Sequence, residues 1–323
     1  MGADTTGSLF LPSPGSTLSG EVDALFNFVL YASIVFFVIV VGFSVFFVIR
    51  YRRRSEETRL DTAPSFNPRL EIAWTVIPLV LVIVVFFWGF RTYLKMHIVP
   101  KDPVEIKVTA QKWFWSFNYA KDGFTSTNEL VVPVDKPIML TMSSTDVIHS
   151  FYVPGFRVKM DVLPNRYSRT WFQATRTGSF DLFCAEYCGT SHSDMIGKVR
   201  VLNDREFQAW KEQQAAGNTD MPLKDLGAKL YSSKACITCH SIDGSPMTGP
   251  TFKGIYGHQQ ALSGGNTITV DDNYIRESIL SPMAKVAKGF QPVMPSYQGL
   301  LKQREIDALV EYIKTLSEEQ DSK

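Results

Sequence analysis

The sequence predicts a two-helix transmembrane hairpin, then an all-β domain, then an all-α domain. Three observations predict it. Two long stretches, 24–49 and 72–90, contain no charged residue. Between about 104 and 203 the chain breaks into short β-branched and aromatic segments parted by turn residues. Beyond residue 223 apolar residues recur at helical spacing. With 323 residues there is room for more than one domain, and a formal net charge of +1 gives no argument for a nucleic-acid partner.

Each uncharged stretch is long enough to cross a bilayer core, which takes about 20 apolar residues. The alternative is two buried helices of a soluble core, but such helices rarely lack a polar face over this length. The first Lys or Arg is Arg50, and the loop that follows carries Arg50, Arg52, Arg53, Arg54, Arg59 and Arg69. Positive loops stay cytoplasmic. The spans with their loop, 23–95, therefore place the tail 1–22 and everything after about 95 on the periplasmic or outer side of a bacterial inner membrane. No basic n-region marks a signal peptide; either the first span directs insertion or a leader has been removed.

The segments "VEIKVTAQ", "WFWSFNY", "ELVVPV", "IMLTMSS", "SFYVPGF", "RTWFQA", "SFDLFC" and "GKVRVLN" read as strands of a sandwich or barrel. "DREFQAWKEQQAA" reads as a helix with an acidic first turn that closes this region, 96–216. The tail 1–22, with Gly, Ser, Thr and Pro and little periodicity, reads as flexible, and 217–223 reads as the linker. In 224–323, "LKDLGAKLYSSKA" and "QREIDALVEYIKTL" are helices, the second with Ile306, Leu309, Val310, Ile313 and Leu316 on one face.

Four cysteines fall in two pairs. "CITCH", Cys236 to His240, is the C-x-x-C-H pattern of covalent haem c. Two thioethers would hold the porphyrin through Cys236 and Cys239, and His240 would reach the iron. A Met on the far side raises the potential. Met294, in the Pro-rich "QPVMPSY", is the candidate, with Met247 and Met283 as weaker rivals. A thioredoxin-like redox pair or half a zinc site are the alternatives for C-x-x-C; the trailing His and the lack of a second C-x-x-C favour haem.

Residues 222–318 resemble class I cytochromes c. Gly227 and Tyr231 match that family's first helix, which crosses the last helix closely; the facing residues implied here are Leu309 and Tyr312. "TGPTFKGIYG" matches the loop in which a proline carbonyl, Pro250 here, accepts a hydrogen bond from the haem-ligating His240. That bond would fix the tautomer of His240.

The other pair lies in "CAEYCGTSHSDM", where Cys184 and Cys188 are followed by His192 and Met195. In an oxidising compartment a disulfide is one reading. Thiolate, imidazole and thioether together favour copper. A second bridging thiolate lets the site hold two coppers, and two metals sharing one electron need little rearrangement. A second imidazole is then required, and His149, at the end of a predicted strand, is its natural supplier. Zinc is the alternative metal, but a structural zinc site would not need Met.

Two spans followed by this pattern, over residues 20–216, closely resemble cytochrome c oxidase subunit II and its CuA centre. The resemblance makes the all-β domain cupredoxin-like. It implies copper ligation by His149, Cys184, Cys188, His192, Met195 and the backbone carbonyl of Glu186. It further implies a magnesium ion on the Glu186 side chain at the border with subunit I. Trp113, opening "WFWSFNY", would be the point where electrons enter, although Trp113 and Trp115 also read as ordinary core or rim aromatics. Glu71 would stand at the mouth of a proton channel; the alternative is an interfacial carboxylate that meets only water and headgroups.

The implied function is that of a subunit II with a fused cytochrome c, as occurs in bacterial haem–copper oxidases. Electrons would pass from haem c to CuA and on to haem in subunit I, where oxygen is reduced, coupled to proton translocation. Implied partners are subunit I, subunit III, and an upstream donor such as another cytochrome c or a cytochrome bc complex. Three other readings stand beside it: a CuA-bearing nitric oxide reductase subunit, a copper-binding or delivery module, and a quinol oxidase subunit II, which would lack the copper ligands. Segment 224–323 carries eleven Lys plus Arg and eleven Asp plus Glu, and Asn118 replaces the acid that often follows the family's aromatic stretch. A tether supplies effective concentration where a basic patch would otherwise steer, so haem-to-copper transfer is expected to depend weakly on salt.

Overall fold

The computed structural model describes residues 7–52, 66–216 and 221–321. Arg53, Arg54 and Arg59 of the basic loop, and 217–220 of the linker, lie outside the described residues. The chain divides into two units, one holding both long helices and the other running from Pro100 to Lys323 with Gly15–Thr17 added.

In the first unit, α1 spans Ser19–Arg50 and α2 spans Pro68–His97. Both are long and apolar enough to cross a membrane. Side chains at their middles are exposed on all sides, as Phe37 and Val48 in α1 and Phe87 in α2 illustrate. A helix apolar all round belongs in lipid or a large core. The two helices run antiparallel: Glu21 pairs with Lys95, Gly89 faces Leu25, and the Phe28 and Trp88 rings lie 5.6 Å apart. Asn67 caps α2 by accepting from Leu70 N–H at 3.2 Å. Pro78 is accommodated inside α2, which membrane helices tolerate.

The second unit opens with a β-sandwich. Its strands are β1 (Val104–Gln111), β2 (Phe114–Tyr119), β3 (Phe124–Thr127), β4 (Glu129–Pro133), β5 (Pro137–Ser144), β6 (His149–Val153), β7 (Val158–Val162), β8 (Ser168–Gln173), β9 (Gly178–Cys184) and β10 (Ile196–Leu202). One sheet has the order β3-β2-β1-β5-β8, the other β4-β10-β9-β6-β7. Alternation sets the inner faces: in β5 every second residue, Ile138, Leu140 and Met142, is fully buried. Trp115, Phe117 and Phe151 fill the middle, each large side chain contributing about 1.5–3 kcal/mol by burial. Expected to be flexible, residues 15–17 instead extend this unit: Gly15 N–H donates to Gly155 O at 2.8 Å and Thr17 N–H to Gln173 O at 3.0 Å.

Helix α3, Asp204–Ala216, starts with a capping box, in which Glu206 N–H donates to Asn203 Oδ1 at 2.9 Å and Asn203 N–H to Glu206 Oε2 at 3.3 Å. Trp210 of α3 seals the sandwich edge, 5.2 Å from the Tyr119 and Phe124 rings.

The helical region follows with α4 (Leu223–Ser233), a short hairpin of β11 (Gln259–Ala261) and β12 (Thr267–Thr269), α5 (Asp272–Leu280) and α6 (Gln303–Asp321). α4 crosses α6 at Gly227, where a Cβ would lie 2.0 Å from Ala308 O and 2.5 Å from Tyr312 Cβ. Tyr312 faces Gly227 as the resemblance implies, but the other neighbour is the Ala308 carbonyl, one residue before Leu309; the close approach is made by backbone. Leu226, Leu230, Ile306, Leu309, Val310 and Ile313 form the buried face between these helices. Phe114, from strand β2 of the sandwich, belongs to the same buried cluster.

Candidate functional site

The copper-side residues come from two strands and one loop. His149 opens β6 and Cys184 closes β9, neighbouring strands paired at Phe151 and Cys184. The loop from Cys184 to the start of β10 carries the rest, with His192–Asp194 in a single 3₁₀ turn. Cys184 Sγ and Cys188 Sγ lie 3.9 Å apart. Cys188 Sγ is 3.4 Å from His192 Nδ1 and 3.8 Å from Met195 Sδ. Cys184 Sγ is 3.8 Å from His149 Nδ1 and 3.2 Å from Glu186 O. His149, Cys184, Cys188 and Met195 are buried. The ligand atoms of His149, Cys184 and Cys188 all fall within 4.8 Å of one another.

The electrostatics suit a cation. Donation from Cys188 pulls the Cys184 thiol down to about 3, and the thiolate so formed pushes the Cys188 thiol up. The protein alone favours one thiolate; holding two side by side needs positive charge between them. Burial opposes protonation of His149, yet its hydrogen bonds to Asp146 and Cys184 raise its pKa overall. The residues therefore fit a soft-metal centre with two sulfurs at its heart.

The haem-side residues surround an apolar cavity lined by Cys236, Cys239, His240, Met294, Trp113 and Phe114. His240 donates from Nδ1 to Pro250 O, 2.7 Å away, which leaves Nε2 as the lone-pair nitrogen. Its ring stacks on Phe252 at 4.4 Å. Gly249 also lies against this ring, where a Cβ would come within 2.6 Å of it. Burial lowers the pKa of His240, favouring the neutral imidazole that ligation requires. Met283 also lines the cavity, though it is 53% exposed; Met247 is not among the lining residues. An apolar crevice with two thiols, a neutral imidazole and a thioether fits a covalently held haem.

Trp113 lies between these two places. It is buried, lines the cavity, and its indole sits on Gly189, the residue after Cys188: a Gly189 Cβ would lie 3.2 Å from Trp113 Cζ2. Its Nε1 has no hydrogen-bond partner among the described residues, and the same holds for Trp115 and Trp171. Further along the same face, the Phe114 and Tyr297 rings stack 5.6 Å apart and 7° from parallel, and Ser191 Oγ meets Thr248 Oγ1 at 3.4 Å. Glu71, in the first turn of α2, is half-buried and lies in the other unit. The Glu186 side chain is exposed.

Sequence reasoning missed two residues. Asp146 Oδ1 lies 2.8 Å from His149 Nε2 and turns Nδ1 towards the sulfurs; a carboxylate three positions before a candidate ligand histidine was the available signal. Phe114 stood in the quoted aromatic stretch, but nothing local reveals that it points into the haem-side core.

Three family profiles match the chain: "Cytochrome C oxidase subunit II, transmembrane domain" over residues 4–92, "Cytochrome C oxidase subunit II, periplasmic domain" over 123–201, and "Cytochrome c" over 225–317. Cytochrome c oxidase subunit 2 of Alkalihalophilus pseudofirmus is 30% identical over 302 residues, covering 90% of this chain and 86% of that protein. The chain belongs to the cytochrome c oxidase subunit II family. The subunit 2 of Bacillus sp. PS3 is likewise 30% identical, over 83% of this chain and 80% of its own length. Among solved structures, the periplasmic domain of subunit II of cytochrome oxidase from Bradyrhizobium japonicum is 38% identical, with a TM-score of 0.36, covering 37% of this chain and 98% of that one.

This subunit II carries a C-terminal cytochrome c domain. Membership implies CuA copper, haem c, and subunit I as partner in a haem–copper terminal oxidase. Two membrane helices and the family's transmembrane domain make it an inner-membrane protein with a periplasmic domain.

Proposed function

We propose that this subunit II takes electrons at haem c, delivers them through Trp113 to CuA, and passes them to haem in subunit I, where oxygen is reduced. When bound, haem c would supply a one-electron carrier and copper a one-electron acceptor. The chain's residues do the rest. His149, Cys184, Cys188, His192, Met195 and the Glu186 carbonyl would hold copper. Cys236 and Cys239 would anchor the porphyrin, His240 and Met294 would ligate its iron, and Pro250 fixes the His240 tautomer. Trp113 provides a packed aromatic between the cavity and the loop that bears Cys188.

The reading extends outward on the family resemblance. Glu186 also ligates magnesium at the border with subunit I, and Glu71 collects protons for a coupled channel. Subunit III and an upstream cytochrome c or cytochrome bc complex complete the assembly. The domains divide at 23–95, 96–216 and 224–323, and both termini with both redox domains face the periplasm.

The observation that carries the proposal is the position of Trp113, which touches both the haem-side cavity and Gly189 beside Cys188. The test is Trp113→Phe in the assembled oxidase, followed by flash-induced transfer from haem c to copper. The expected result is a slowing of about tenfold or more, equivalent to about 1.4 kcal/mol of barrier, with the haem c band and copper EPR signal unchanged. An unaltered rate would remove Trp113 from the path. Oxygen reduction by the same preparation at least matching its nitric oxide reduction is also expected.

A further inference from the structure

Asp146 lies between β5 and β6, and its two oxygens serve different parts of the molecule. Oδ1 lies 2.8 Å from His149 Nε2 and accepts from Val147 N–H at 2.7 Å, with Ser144 Oγ 3.1 Å away. Oδ2 accepts from the backbone N–H of Lys112 at 2.8 Å, across 34 residues of chain. Lys112 leads into Trp113 and Phe114, and all three line the haem-side cavity. One carboxylate thus ties an imidazole that faces the thiols to the backbone that walls the cavity.

A local turn explains only part of this. The bonds to Val147 and Ser144 would stabilise the β5–β6 turn unaided, but the Lys112 bond reaches another turn altogether. Both remote partners are donors when Nδ1 of His149 keeps its lone pair, so the bridging group must accept on both oxygens. An ionised carboxylate does so. An amide of the same shape does not. With its oxygen towards His149 it points an NH₂ at the Lys112 N–H; turned over, it drives the His149 proton onto Nδ1, where a metal needs the lone pair.

We propose that Asp146 is a positioning residue that sets the copper-facing imidazole of His149 and the Lys112–Phe114 wall of the haem crevice in one register. The proposal rests on reading His149 as a copper ligand. It makes the geometry of the electron acceptor and of the wall beside its donor depend on a single side chain.

The test uses the full chain in its assembled complex, comparing wild type with Asp146→Asn. Three quantities are measured: copper affinity by chelator competition, the copper EPR spectrum, and amide hydrogen exchange of the peptide containing Lys112. In D146N, copper affinity is expected to fall roughly ten- to a hundred-fold, the EPR hyperfine pattern to change, and exchange at Lys112 to speed up, while the haem c band stays as in wild type. Should D146N fail to assemble, Ser144→Ala, which removes the hydroxyl that accepts from Asp146 N–H and donates to Val147 O, should loosen the carboxylate and shift the EPR pattern and the exchange in the same directions by less. Wild-type copper affinity and EPR in D146N, unaltered Lys112 exchange in D146N, or no shift in S144A would each overturn the proposal. A wild-type chain lacking a two-copper signal would overturn the reading of His149 itself.

Discussion

The copper-side and haem-side centres share one unit of the fold but are built in opposite ways. His149 and Cys184 sit on paired strands of a sandwich whose middle is filled by fully buried Trp115, Phe117 and Phe151. On the haem side, Cys236–Thr238 form one 3₁₀ turn, Gly249, Pro250 and Phe252 stand in irregular chain, and Met294 lies in a loop. The α4–α6 crossing packs closely there. The first centre is positioned by its own domain. The second is completed from outside, by Phe114 of β2 stacked on Tyr297. The copper-side loop springs from paired strands, whereas the haem-side cavity is walled by loops and by a side chain from the sandwich.

The largest expected effect on that contrast comes from Phe114→Ala. Removing a nearly fully buried aromatic ring costs roughly 3–5 kcal/mol, and the cost should fall on the helical region. Thermal unfolding followed at the haem c band should move to lower temperature while the copper EPR signal persists. If the copper signal fails first, the helical region does not depend on Phe114 as described.

Gly227→Ala should act on the haem side alone. Its new Cβ would lie 2.0 Å from the Ala308 carbonyl, and separating the helices costs roughly 1–3 kcal/mol. Reduced haem c stability with unchanged copper affinity is expected, measured by denaturant titration at both chromophores. Equal losses at both centres would show that the two are one cooperative block.

The smallest effect concerns salt. An aromatic stack and a hydroxyl pair join the sandwich to the helical region at Phe114–Tyr297 and Ser191–Thr248, and neither is screened by ions. Between about 50 and 200 mM salt, a range over which the screening length halves, the haem-to-copper rate should change by less than about twofold. A steep fall would mean that charge, and not packing, brings the two regions together.

The two centres also differed in how legible they were in the sequence. Cys236, Cys239 and His240 announce themselves by local spacing, and the β1 and α3 segments match the quoted stretches residue for residue because alternation and capping are short-range signals. Two apolar runs without charge gave both long helices. Strands β3 and β7 went unread: "FTST" and "VKMDV" have mixed, half-exposed faces and become strands through pairing with β2 and β6. Helix α5 stops at Leu280, three positions before Met283. Residues 15–17 gain their order from Gly155 and Gln173, far along the chain. Long-range partners explain the remaining gaps as well. Nothing near Phe114 foretells Tyr297, and Asp146 becomes part of the site only because Lys112 and His149 are folded onto its two oxygens.

The account is tested most directly by metal analysis and EPR of the intact, purified chain in its oxidase. It predicts two coppers for each haem c and a spectrum in which one unpaired electron is shared by both metals. One copper or none per haem c, with Cys184 and Cys188 joined as a disulfide, would contradict it.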